Sequence, residues 1–133
     1  MRVLIVHHGK RPTPDQPVTG GALRALDMAR AMEAAGHTVQ TLNRDQDDEG
    51  GFSSAEDLYA KARAWGPDRI IAVQLEDAPA LAAVGVPIAV DLYAPRVMEA
   101  SFEGTLRWTS VETLRALAAG DAFLVSNPRQ RWF

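Results

Sequence analysis

Cysteine is absent from the 133 residues, which excludes a disulfide framework, a thiolate nucleophile and a thiolate zinc site, and suits a reducing compartment. Basic charge is scarce as well. Fourteen Lys and Arg stand against 17 Asp and Glu, for a net charge of -3 with no run of Lys or Arg, so nucleic acid is not expected as a partner. The longest nearly apolar stretch, Ala78 to Val90, is interrupted by Pro79, Gly85 and Pro87 and falls short of the roughly 18 residues a membrane span needs. The first strand pattern starts at residue 2 and leaves no room for a secretory leader. No strongly basic amphipathic helix is present either, so membrane association is not expected and a cytoplasmic location is. What remains, 47% hydrophobic and 23% charged, is the ordinary make-up of one domain with a single sizeable core.

Strand and helix patterns alternate regularly along the chain. Val3 to Val6 is a continuous apolar run, as in a strand buried on both faces of a parallel sheet. Gly20 to Ala35 carries Leu23, Leu26, Ala29, Met32 and Ala35 at steps of three, a helical stripe stopped by Gly36. Thr38 to Leu42 reads as the second strand, and acidic, Gly-containing Asn43 to Ser54 as a solvated loop. Ser54, with Glu56 and Asp57, caps a helix that runs to about Trp65 and ends at Gly66-Pro67. Arg69 to Val73 is strand three, Glu76 to Val84 a short helix, and Pro87 to Val90 strand four with Asp91 at its end. Pro95 to Phe102 and Ser110 to Ala119 read as helices joined by a polar loop, and Ala122 to Val125 as strand five. Asn127 and Pro128 have the cap and first-turn character of a new helix, ending in Trp132 and Phe133, so the sequence reads as a piece of something longer.

Five parallel strands joined by helical crossovers predict an α/β, doubly wound sheet, most simply in the order 3-2-1-4-5. Its ligand edge is the carboxyl end of the strands, with the switch point between strands one and four. His7, His8, Gly20, Gly21, Glu76, Asp77, Asp91 and Tyr93 all map there. A Gly-Gly pair at a helix start brings bare backbone N–H groups near a phosphate, where the helix dipole adds to their pull.

Familiar nucleotide motifs fail on spacing. The insert from Gly9 to Thr19 separates strand one from Gly20-Gly21, and no third packing glycine follows, so the dinucleotide fingerprint is not met. No G-x-x-x-x-G-K-[ST] string occurs. A phospho-receiver domain needs acids after strand one and an Asp after strand three, where this chain has His7-His8 and Gln74.

Taken together, the opening strand, the delayed Gly20-Gly21, the Arg24-to-Val39 helix-to-strand passage, Asp91-Leu92-Tyr93-Ala94-Pro95 followed by Met98-Glu99, and Asp121-to-Ser126 with Arg129-Gln130-Arg131 carry a resemblance. Over essentially its whole length the chain resembles the N-terminal half of a family 4 (group 1) glycosyltransferase of GT-B architecture. The resemblance implies a Rossmann-like, acceptor-side domain over residues 1–133 and a C-terminal domain, absent here, that binds the nucleotide-sugar donor. In the complete enzyme the diglycine loop faces the donor diphosphate across the cleft, and transfer is typically retaining and without a required metal or other cofactor. The partners so implied are the donor-binding domain, in the same or a separate chain, and a sugar acceptor. The family's basic residues for the diphosphate and its Glu-x7-Glu pair have no counterpart in these residues, so the chain alone is expected to be inactive.

Each candidate residue has a duller alternative. Gly20 and Gly21 are candidates for the diphosphate or acceptor loop, against a tight turn for packing. His7 and His8 alternate across the strand end, one toward the cleft and one into packing. Asp91 is the one catalytic candidate, as a contact to an acceptor hydroxyl, against capping of a loop backbone. Tyr93 and Arg96 line an acceptor groove or simply pack. Glu76 and Asp77 read more readily as N-terminal charges of their helix, Glu99 and Glu103 as a solvated face, and Trp65, Trp108 and Trp132 as packing groups rather than sugar platforms, with exposure of Trp108 to a partner, from its polar loop, as the alternative. A different class of reading also stands: a free-standing binding or regulatory domain of flavodoxin-like topology, with a small-ligand cleft and no chemistry.

Overall fold

The computed structural model describes residues 1–9, 19–44, 49–92 and 96–125, with the backbone alone over 96–99. Strands β1 (Arg2–His7), β2 (Thr38–Asn43), β3 (Arg69–Ala72), β4 (Ile88–Leu92) and β5 (Ala122–Val125) alternate with helices α1 (Gly20–Ala34), α2 (Ala55–Trp65), α3 (Ala78–Ala82), α4 (Arg96–Glu103) and α5 (Leu106–Ala119). All strand pairings are parallel. β1 is an interior strand, as suits a run from Val3 to Val6 in which every residue is apolar and buried. Leu4 and Val6 join Leu58, Leu81 and Ala116 under α2, α3 and α5, while Val3 and Ile5 join Ala25 and Ala29 under α1. Side chains alternating into two cores make the sheet doubly wound, of Rossmann-like type.

The strand order is β2-β1-β3-β4-β5, which corrects the expected 3-2-1-4-5. β3 lies on the far side of β1 from β2, with Val3 opposite both Val39 and Arg69. The cause lies in composition. β2 carries Thr38, Gln40 and Thr41 and is only half-buried over most of its length, whereas Ile70, Ile71 and Ala72 of β3 are buried. A strand with polar residues suits an edge, and an apolar one an interior position. Strands one and four therefore do not adjoin, and the switch point lies between β1 and β3.

Local signals place the helices closely. Thr19 caps α1, its Oγ1 accepting from the Ala22 N–H, and Ser54 caps α2, its Oγ accepting from the Asp57 N–H at 3.1 Å. Gly36 and Gly66 take positive φ at the two C-terminal ends. Three expectations shift. The buried stripe of α1 is Gly21, Ala22, Ala25 and Ala29, while Leu23 is 47% exposed, because small residues let the helix sit close on the sheet. The acidic short helix divides into a 3-10 turn over Leu75–Asp77 and the single-turn α3. α5 begins at Leu106 rather than Ser110, the link from α4 shrinking to Gly104, at φ 74°, and Thr105.

The two sheet edges differ. At β2, Asn43 pairs with Gly51 in a parallel bridge, so residues 50–52 cover the end of that edge. β5 forms the opposite edge, and among the described residues no strand pairs with its outer side. The α1 face also leaves a hollow of about 280 Å³ over β3, β4 and β5, lined by Met32, Ile71, Ala89 and Leu124 among others. No described helix is long and apolar enough to cross a membrane.

Candidate functional site

The carboxyl ends of β1, β3 and β4 and the start of α1 meet at one edge of the sheet, where ligands of open α/β folds bind. Gly20 and Gly21 open α1. Gly20 is exposed, has no positive φ, and no atom lies within 4 Å of where a Cβ would stand. Among the described residues, neither backbone conformation nor packing demands a glycine there. Gly21 is buried against the sheet. The first turn carries no acidic side chain, so its amides present the positive end of the helix without a neighbouring carboxylate.

Arg24, one turn into α1, reaches β4. Helical side chains slant toward the N-terminus, here the ligand edge. Its Nη2 donates to Asp91 Oδ1 at 2.8 Å and its Nε donates to Asp91 Oδ2, a two-pronged pair. The Asp91 side chain is wholly buried, that of Arg24 is 30% exposed. With a guanidinium on both oxygens, Asp91 acts here as an anchor that orients Arg24 beside the diglycine start.

Sequence reasoning placed Asp91 at this edge and missed Arg24. The available signal was its position four residues after Gly20, which puts it on the same helical face.

The histidines separate as their alternation implies. His7 is buried, and its Nδ1–H donates to the His8 carbonyl at 2.9 Å. His8 turns to the opposite face, where its Nε2 donates to Asp77 Oδ2 at 2.8 Å and its Nδ1 lies 3.5 Å from Glu76 Oε1. Phe52 lies beside it, ring centres 6.2 Å apart. Asp77 is 6% exposed and makes no side-chain cap to its helix. Its function is to hold an imidazole. Both ring nitrogens of His8 therefore face carboxylate oxygens, which fixes the orientation of the imidazole. The sequence reading gave Glu76 and Asp77 to the helix end, and nothing in their local pattern announces a partner 69 residues away.

The structure thus brings Gly20, Gly21 and Asp91 together through Arg24, and sets His8 with Asp77 and Glu76 on the other face of the same edge. Tyr93 lies outside the described residues, as do Asn127, Pro128, Arg129, Arg131, Trp132 and Phe133. Arg96 opens α4, with its side chain outside the description. Trp65 packs under the Arg2 guanidinium at 4.6 Å, and Trp108 is 63% exposed. Among the described residues no group of three or more His, Asp and Glu is placed to hold a metal ion.

No family model, curated protein or solved structure matches the chain.

Proposed function

We propose that this chain is the acceptor-side lobe of a GT-B glycosyltransferase, working in the cytoplasm with a donor-binding lobe that brings the nucleotide-sugar. The observation that carries the reading is the start of α1. A glycine that, among the described residues, neither conformation nor packing requires sits at the ligand edge, with an Asp91-anchored guanidinium one turn away. That combination suits close approach of an anionic or polyhydroxyl group to bare amides. The adjacency of strands one and four, on which the expectation leaned, is not found. The switch point between β1 and β3 replaces it and keeps Gly20, Gly21 and His8 at the edge.

In this reading Gly20 and Gly21 face the leaving diphosphate when the lobes close. His8, held between Asp77 and Glu76, stands on the acceptor side, and Tyr93 and Arg96 extend the acceptor groove. Arg24 alone supplies too little positive charge for the developing diphosphate, so turnover requires the other lobe's cations. The lobe itself needs no cofactor and binds neither nucleic acid nor membrane.

The strand order favours a second reading, since 2-1-3-4-5 is the flavodoxin-like order, whose switch point at β1/β3 takes a small ligand without a second lobe. One amide-shift NMR experiment separates the two. The 133-residue chain is titrated with mono- and disaccharides, with UDP and GDP, and with FMN. Weak saccharide-dependent shifts at His8, Gly20, Gly21 and Arg24, with nucleotides binding no more tightly, are the expected result. Tight binding of FMN or a nucleotide by the isolated chain overturns the glycosyltransferase reading in favour of the second.

A further inference from the structure

We infer that His8 and the Leu75–Asp77 turn form a proton-operated latch across the switch point, which holds Glu76 while the imidazole is charged and frees its carboxylate when the proton leaves. β1 and β3 are neighbours in the sheet and flank the switch point. His8 directly follows β1, and Glu76 and Asp77 follow β3 in the 3-10 turn. The three side chains therefore bridge the two strand ends beside which ligands of such sheets lie.

The geometry sets the two carboxylates apart. Asp77 Oδ2 lies 2.8 Å from Nε2 and its side chain is 8% exposed, whereas Glu76 Oε1 lies 3.5 Å from Nδ1 and its side chain is 39% exposed. An imidazolium carries an N–H on both ring nitrogens and satisfies both acids. Neutral imidazole carries one, so one of the two carboxylates then faces a lone pair. The group able to move away is Glu76. Asp77, enclosed by the protein, would lose its partner and find no water in exchange, while Glu76 gives up a longer contact with solvent beside it, of the kind that contributes little.

The surroundings leave this choice to the proton. Phe52, against the other side of the ring, is uncharged, and the buried His7 bonds the His8 carbonyl and not the His8 ring. Lys61 of α2 binds Asp57 and the Gly51 carbonyl, and Arg24 of α1 binds Asp91 on the opposite face of the sheet. Among the described residues, Glu76 and Asp77 are the charged groups paired with the ring. The turn that carries them is itself lightly held, since the Asp77 N–H reaches the Gln74 carbonyl at 3.4 Å, long for such a bond, and no side chain caps it. A charge change at one imidazole thus biases a side chain with two available positions, which is the form that histidine switches take. With His8 neutral, the edge gains a carboxylate free to accept from a ligand hydroxyl or amine. The latch depends neither on which ligand the edge takes nor on the glycosyltransferase reading.

The test is a pH titration of the 133-residue chain by NMR between pH 5 and 8, the range in which imidazoles ordinarily change charge. The His8 ring shifts follow the proton, and the three-bond couplings of the Glu76 Cβ protons follow the side chain. The expected result is a single Glu76 χ1 rotamer at the acid end and rotamer averaging at the other, with the same midpoint as the His8 ring. Glu76→Gln, whose amide donates to a bare ring nitrogen or accepts from a protonated one, is expected to stay ordered throughout. His8→Gln is expected to remove the step, with an unchanged circular dichroism spectrum. Glu76 couplings that stay constant through the His8 titration overturn the inference, and the unsubstituted chain alone decides that. So does a step that survives in His8→Gln. No saccharide enters the measurement, so the latch and the proposed function fail separately.

Discussion

The two ends of the sheet use carboxylates in opposite ways. At the amino ends of the strands, Asp68 and Asp121 serve the backbone. Asp68 Oδ2 accepts from the Arg2 N–H at 2.7 Å while its own N–H donates to the Arg2 carbonyl, and Asp121 Oδ2 accepts from the Ile88 N–H at 2.9 Å. Both acids are exposed. At the carboxyl ends, Asp77 and Asp91 are buried and each holds a cationic or titratable side chain, His8 and Arg24. Tying down a strand start requires only a cap at the surface. Burying two carboxylates is costly in desolvation, and here each is matched by the side chain it holds, so the acids of the two ends do different work.

Substitutions can break that contrast. The largest loss is expected from Arg24→Met, which leaves the Asp91 carboxylate buried without its guanidinium and costs about 3–5 kcal/mol, read as a fall in the urea midpoint. Asp77→Ala strands the His8 N–H and is expected to cost about 1–3 kcal/mol and to abolish saccharide-dependent shifts at His8. Asp121→Ala at the other end is expected to cost about 1 kcal/mol with those shifts unchanged. If the amino-end change also removes binding, the division of labour is wrong. Gly20→Ala is expected to leave stability within about 0.5 kcal/mol, since alanine is the better helix former and its Cβ meets nothing, yet to weaken ligand binding. That result would isolate approach from stability.

The smallest effect is in acid. The Ser53 backbone N–H bonds the Asp57 carboxylate and holds its pKa below the usual 3.8. A group lowered on folding contributes above its unfolded value, and that contribution is lost as pH falls through the folded one. A slight loosening of α2 is therefore expected only below about pH 4, absent in Asp57→Asn and visible in helical circular dichroism.

Much of this arrangement is legible in the chain. Caps at Ser54, stops at Gly36 and Gly66, and the apolar run of β1 act through near neighbours, so their pattern survives in one dimension. Strand order does not, because right-handed crossovers are satisfied by β3 on either side of the first pair. The polar residues at Thr38, Gln40 and Thr41 were the clue that β2 keeps an edge. The phase of α1 is obscured for a related reason. The stripe through Leu23 and Leu26 suggests one buried side, but the helix approaches the sheet so closely that Gly21, Ala22, Ala25 and Ala29 occupy it. The side-chain pairs of the ligand edge are the least legible, since Arg24 with Asp91 and His8 with Asp77 join positions 67 and 69 apart and only the fold selects them.

Gly9, at φ 90°, lies against Thr19, whose Oγ1 would stand 2.6 Å from a Cβ at that position. A side chain at position 9 would therefore press on the hydroxyl that caps α1 through the Ala22 N–H. The end of β1 and the start of α1 are thus clasped at one point, and any residue other than glycine there would loosen the first turn of the helix and, with it, the amides that the ligand edge presents.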